Sequence, residues 1–472
     1  MRLLRQVSAP LSATKAGSKL WLAVCVLAVI VIFAKGLSLL TLASEIAAGY
    51  AAKQICSGMF VARLPEHYVV GKDVLPRLAT VGPLAQLLDY ESDARQKRVS
   101  ARMLGQQVTV RYRPGYGCTL LTERTANLSP ELSFAMPAAA DASGSPVPPI
   151  KTAARFQSAL DSAFAEPPTG GRNTLAVLVM HRGELAAERY NEPVSAKTPL
   201  QGWSMNKSLM ATFIGRQIDQ GLLGLDESVL EALERAGASG ESVARVDTRL
   251  TLQHLLSMTT GFDFSERYFP GDDVTDMLYR QPAMWLSAPR TGHAYSPGEQ
   301  FAYSSGDINT ASMMWQQSLA GQPYAEWVRE HFSAPLKLRE VILEPDASGV
   351  QVGSSYAYLT ARDWARMGQL WLDAWHGRSE VISAKWQRIA VTPGTANNGE
   401  IYGLGFWLNT GHQAFPSAPE NTFHAAGNSG QFVVVIPEKE LVVVRLGLTL
   451  NEPRADMNSV LAEVLAALEP AE

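Results

Sequence analysis

An unbroken apolar run over residues 20–34 restricts this chain more than any other feature: Arg2, Arg5, Lys15 and Lys19 precede it, and no acidic residue occurs in the first nineteen positions. A segment of that kind is either a lipid-spanning helix or a signal handed to an export machinery. After the single Lys35 the apolar character resumes over 36–43. A helix starting near Ser18 therefore reaches the roughly 20 residues that cross a bilayer, with Lys35 extending its amine toward the headgroups. Basic residues on the N-terminal side hold that end in the cytoplasm. The expectation is a single-pass protein of the bacterial inner membrane whose body lies in the periplasm, and the alternative is a body secreted after signal cleavage.

That body is large enough for one big core or two modest ones, since 46% of the 472 residues are apolar. A net charge of -4 supplies no basic field for phosphates, so nucleic acid is not an expected partner. Of three cysteines, Cys25 belongs to the apolar run, which leaves Cys56 and Cys118 in the exported part. They either form a disulfide closing a loop of roughly 60 residues or remain two separately buried thiols. No metal-ligand spacing and no cofactor motif is present, so neither is expected. Composition divides the chain into a basic tail and anchor (1–45), a small N-terminal region with strand-like pieces such as 107–112 (50–135), a linker rich in Ala, Ser and Pro (136–149), and a main domain (150–472).

The main domain opens with helical periodicity over 152–164, followed by two strand-like runs, 174–180 and 184–190, around His181-Arg182-Gly183. A second hairpin is expected from 431–436 and 441–446, and an amphipathic helix from 457–468. Residues 360–373 read as a helix that Thr360 caps and Asp363 completes, with Trp364, Met367, Leu370 and Trp371 on one face. Strand pairs and helices at both ends, with a helix-rich middle, predict an α+β fold: an antiparallel sheet flanked by terminal helices, with a helical insertion and an N-terminal membrane helix.

The chemistry concentrates in three segments. In Gln201-Gly202-Trp203-Ser204-Met205-Asn206-Lys207-Ser208, a Gly-Trp turn followed by helical periodicity puts Ser204 at a helix N-terminus, in a field that favours negative charge. Lys207, three residues on, shares its face. A hydroxyl needs a neighbouring base to become a nucleophile, and a desolvated lysine can be one because burial lowers its pKa. Downstream, Ser296-Pro297-Gly298-Glu299-Gln300-Phe301-Ala302-Tyr303-Ser304-Ser305-Gly306 delivers a tyrosine able to relay protons. The third, Ala425-Ala426-Gly427-Asn428-Ser429-Gly430-Gln431, offers exposed backbone that a substrate can approach closely. Glu299 and Asp307 suit either substrate contact or turn roles, and His424 suits a structural role.

These segments, in this order and separation, resemble the serine hydrolases related to class C β-lactamases and penicillin-binding proteins. Two further phrases agree: His254-Leu255-Leu256-Ser257-Met258-Thr259-Thr260-Gly261, and Gly353-Ser354-Ser355-Tyr356 with Thr360-Ala361-Arg362-Asp363. The resemblance spans roughly residues 150–470 and implies an acyl-enzyme mechanism. Ser204 would be the acylated nucleophile, Lys207 its base and Tyr303 the proton shuttle. The backbone amides of Ser204 and Asn428 would form the oxyanion hole, and Trp203, Ser305 and Gly427 would line the substrate. Two departures stand out. Ser305 replaces an asparagine, and Ala425-Ala426-Gly427 replaces a Lys-Thr-Gly triplet whose lysine helps hold a β-lactam carboxylate. The sequence is thus most similar to the esterase and aminohexanoate-dimer hydrolase branch, whose exported members also carry an N-terminal extension with paired cysteines. The implied substrate is a small or short peptide-like ester or amide. A peptidoglycan or β-lactam sensor with little turnover, or a true β-lactamase, is the alternative.

Overall fold

The computed structural model describes residues 15–80, 82–121, 153–450 and 455–469. The expected linker 136–149 and the first residue of the expected 152–164 helix lie outside them.

Residues Lys15–Phe60 form one continuous 46-residue helix, about 69 Å long at 1.5 Å per residue. It does not stop where the apolar run ends. Its first half leaves Trp21, Val24, Leu27, Ile32 and Phe33 exposed, whereas Ile46, Ala48, Ala51, Ala52, Ile55 and Cys56 are buried against the body. Two glycines permit that contact. A Cβ on Gly49 would meet the Tyr279 carbonyl oxygen at 2.7 Å, and one on Gly58 would meet Val69 Cγ1 at 2.7 Å. The buried half packs on a four-stranded antiparallel sheet, Asp89–Asp93, Arg98–Met103, Gln106–Arg113 and Gly117–Leu121, in sequence order. Val99, Ala101, Val108 and Val110 fill the space between them. Cys56 and Cys118 are joined by a disulfide across this contact, with Cα atoms 6.2 Å apart.

The main sheet has six strands in the order Trp407–Leu408, Phe423–Gly427, Gln431–Ile436, Leu441–Gly447, Thr174–His181, Glu184–Tyr190, all antiparallel. Both expected hairpins are present. Side-chain alternation sorts the valines to two faces. Val442, Val444, Val433 and Val435 join one core with Trp364, Met367, Leu370 and Trp371 of the helix Ala361–Trp375. Val443, Val434, Val177 and Val179 join another, with Leu160, Val460, Leu461 and Val464 of the terminal helices Gln157–Phe164 and Met457–Ala466 and with Phe156 just before the first of them. Each such side chain contributes about 1.5–3 kcal/mol by leaving water. Thr360 caps its helix by accepting from Asp363 N. The Asp363 carboxylate does more than complete the cap, because it also accepts from Arg339 N at 2.9 Å and ties that loop down. The architecture is the expected α+β arrangement.

The insertion between the hairpins carries the helices Met205–Asp219, Asp273–Arg280 and Ser305–Gln317. The N-terminal segment docks against it. Val274, Met277, Leu278, Tyr279, Val352 and Tyr356 share one apolar cluster with Ile46, Ala51, Ile55, Val70 and Val74. At its centre Lys53 forms a buried ion pair with Glu344.

Candidate active site

Ser204 ends a tight turn whose geometry the sequence imposes. Gly202 lies against the indole of Trp364, where a Cβ would overlap the ring. Trp203 takes a positive φ of 49° and is buried. The helix Met205–Asp219 starts immediately after Ser204, yet the serine side chain makes no capping bond. Elsewhere Ser228, Ser304, Thr360 and Ser383 all cap helices with their hydroxyls. At Ser204 the hydroxyl instead meets Lys207 Nζ at 3.1 Å.

Lys207 is buried, and its amine has three oxygen partners: Ser204 Oγ, Ser305 Oγ at 3.0 Å and the Ser354 carbonyl at 3.3 Å. Ser305 N and Oγ both donate to the carboxylate of Glu266. The roles of the partners follow from that. A carbonyl oxygen only accepts, and the Ser305 proton is committed to Glu266. Of the three, Ser204 alone has a proton free to donate, so a neutral amine would direct its lone pair at the Ser204 hydroxyl. Burial lowers the Lys207 pKa to about 8, against the opposing pull of Glu266 and Asp307. Burial raises the Glu266 carboxyl, and the charge of Lys207 restrains that rise.

Tyr303 reaches this group through its ring face. Lys207 Nζ lies 4.7 Å from the ring centroid, and the ring stacks on Trp407 with centroids 5.2 Å apart. The third segment approaches from the sheet edge. Gly427 is pressed against the nucleophile turn, where a Cβ would overlap the Gly202 carbonyl oxygen and stand 3.1 Å from Ser204 N. Its missing side chain lets strand and turn touch. The turn after it is braced by Gln431 Nε2, which donates to the Asn428 carbonyl at 3.0 Å, and by Arg445, which donates to the Gly430 carbonyl at 2.6 Å. Ser305 is fully buried behind the lysine, where its hydroxyl connects Lys207 to Glu266.

Glu299 is exposed and accepts from Ser296 N within its own turn. Asp307 is buried and holds Thr260 and Ser304, its carboxyl pushed up to about 8 by burial. His424 is buried between Phe415 and Phe432, and burial lowers it to about 3. Two residues escaped the sequence reading. Glu266 lies in a loop where an acid is ordinarily solvated, and no local pattern marks it. Arg77 lies more than a hundred positions before Ser204, yet its Nη2 donates to Ser429 Oγ in the third segment. It lines a cavity of ≈ 230 Å³ that also includes Trp203 and Asn428. Among the described residues, no group of three or more His, Cys, Asp or Glu is placed to hold a metal ion.

Residues 160–466 match the protein family described as Beta-lactamase. The chain belongs to the beta-lactamase family. This beta-lactamase-family hydrolase is 26% identical over 305 residues to a 6-aminohexanoate-dimer hydrolase of Paenarthrobacter ureafaciens, with 58% of this chain and 72% of that protein covered. Among solved structures, a family VIII carboxylesterase superposes with a TM-score of 0.53 at 15% identity, over 67% of this chain and 99% of that one. A penicillin-binding protein homologue from Caulobacter crescentus gives 0.52 at 16% identity over 67% and 99%. At such identities the two structures speak for the fold, which the family member shares from its first hairpin to its last helix.

Proposed function

We propose that the chain is a serine hydrolase that cleaves an ester or amide through an acyl-enzyme on Ser204. The observation that carries this reading is the amine of Lys207, 3.1 Å from Ser204 Oγ with its other oxygen partners able only to accept. Neutral Lys207 takes the Ser204 proton as the oxygen attacks the carbonyl. The oxyanion that forms is held by the backbone N–H groups of Ser204 and Asn428, at the positive end of the helix that follows. Tyr303, against the lysine, and Lys207 itself return the proton to the leaving group, and water then releases the acid. The aminohexanoate-dimer hydrolase and carboxylesterase named above support an ester or linear amide as substrate. The absence of lysine from Ala425-Ala426-Gly427 supports the same choice over a β-lactam.

The body is proposed to stand at the outer face of the bacterial inner membrane, in the periplasm, anchored by the apolar half of the helix Lys15–Phe60. The exposed apolar residues of that half and the basic residues before it support this placement, as does the Cys56–Cys118 disulfide, a bond suited to an oxidising compartment. Labelling with a fluorophosphonate and, separately, a fluorescent penicillin, followed by peptide mapping, tests the chemistry. Adduct on Ser204 that disappears in Ser204→Ala and Lys207→Ala is the expected result. Stoichiometric penicillin labelling without ester turnover would assign the chain to the sensors, and unchanged turnover in Ser204→Ala would overturn the mechanism.

A further inference from the structure

The cavity beside the nucleophile turn has an unusual wall. Its far side is built by Ala43, Ile46 and Ala47, on the same helix whose preceding residues Leu37, Leu39 and Leu40 are exposed. Leu78 and Met103 complete an apolar lining. Its near side is Trp203, the residue before Ser204, and Asn428, in the middle of the third segment. Into this apolar space comes one cation, Arg77. Its Nη2 donates to Ser429 Oγ, while its Nε is buried with no hydrogen-bond partner among the described residues. Among those residues no carboxylate forms an ion pair with it within 4.0 Å. Tyr50 and Asp73 both favour the charged form of Arg77, Asp73 from beyond ion-pair distance and itself hydrogen-bonded by Tyr50 at 3.1 Å. A part-buried guanidinium that no carboxylate contacts keeps donors available to an arriving anion.

We infer that this cavity is the substrate subsite of an anionic amphiphile: an ester or amide of a medium-length acyl chain whose carboxylate, a few bonds from the scissile carbonyl, pairs with Arg77. The apolar chain lies along the N-terminal helix. A cavity of about 150 Å³ accommodates a six-carbon ring, so ≈ 230 Å³ suits a chain of about eight to ten carbons. Bidentate pairing of a guanidinium with a carboxylate supplies both orientation and affinity. The bond cleaved is the acyl C–O or C–N; water adds hydroxyl to the acyl carbon and a proton to the leaving oxygen or nitrogen. This assignment rests on the serine hydrolase reading and deepens it by naming the substrate class.

The test uses the full chain in detergent micelles and two ester series, O-acyl glycolates and the matched neutral O-acyl glycolamides, with acyl chains of two to twelve carbons. Acid release is measured, with p-nitrophenyl acetate as a small reference ester. The expected wild-type result is kcat/KM at least tenfold higher for decanoyl than for acetyl glycolate, and at least tenfold higher for decanoyl glycolate than for its glycolamide. Arg77→Gln is expected to bring the second ratio close to one, and Ala47→Trp to lower the first. Because the wild-type ratios stand without either variant, misfolding of a variant leaves the test intact. Ratios near one, with p-nitrophenyl acetate still cleaved in a Ser204-dependent way, overturn the subsite and leave the catalytic reading standing. Cleavage of p-nitrophenyl acetate that survives Ser204→Ala overturns the catalytic reading itself.

Discussion

Among the described residues two lysine–serine pairs stand on helices, and they differ in where the nearest carboxylate stands. Lys53 donates to Ser57 Oγ at 2.9 Å and is ion-paired directly to Glu344, all three buried in the joint between N-terminal helix and body. Glu344 also accepts from Ser57 Oγ at 2.8 Å and from Cys118 N at 2.6 Å, so one carboxylate ties the cluster together. Lys207 has its carboxylate one hydroxyl away, with Ser305 interposed between amine and Glu266. Burial lowers both amines. At Lys53 a carboxylate in contact opposes that fall by charge and by hydrogen bond, whereas at Lys207 the carboxylates oppose it by charge alone, with a hydroxyl interposed that still orients the amine. The same two residue types thus make a rivet in one place and, in the mechanism proposed above, a base in the other.

Replacing each lysine in turn separates the two. Lys207→Ala is expected to lower kcat/KM for a reactive ester by about 10³-fold, the order of a lost general base, with little change in the unfolding midpoint. Lys53→Ala is expected to do the reverse, costing about 3–5 kcal/mol in denaturant unfolding because Glu344 is left buried and unpaired, while Ser204 remains reactive toward a fluorophosphonate. Equal loss of turnover in both variants would erase the distinction drawn above.

Smaller effects sharpen it. The base acts when neutral, so turnover should rise with pH through about 8, the value to which burial brings Lys207. Glu266 favours the ammonium, and its charge is absent in Glu266→Gln. The inflection in kcat/KM should then move to lower pH, by about one unit; an upward move would contradict the relay. The smallest change is expected from Ser305→Ala, about fivefold in kcat with the inflection shifted, since a single hydrogen bond is worth about 1 kcal/mol.

Legibility from sequence followed the range of the interaction. The hairpins Thr174–His181 with Glu184–Tyr190 and Gln431–Ile436 with Leu441–Gly447 announce themselves by alternation and turns, and Thr360 announces its helix by its cap. Ser204 and Lys207 were visible because three positions on a helix are one face. Glu266 and Arg77 were not, since what distinguishes them is burial beside residues far along the chain. The burial of Ser305 behind the lysine and the packing of Gly427 on the turn were not legible, because a sequence shows adjacency and does not show which side of the lysine or the turn a group occupies. The length of the first helix was underestimated for a related reason: a run of small residues such as Ala47, Ala48, Ala51 and Ala52 carries no apolar stripe strong enough to reveal that it continues into the body.

That unbroken helix also sets a bearing. With no hinge between Leu40 and Ala43, the exposed apolar side of the helix and the side turned to the Arg77 cavity keep a constant angular phase. Removing one residue there would swing the two faces by about 100°, a full quarter-turn and more, where a flexible tether would not register the loss. Seen along its axis, the molecule is keyed to its anchor like a spline in a shaft, and any neighbour that grips the apolar half from one side meets the enzyme from one fixed direction.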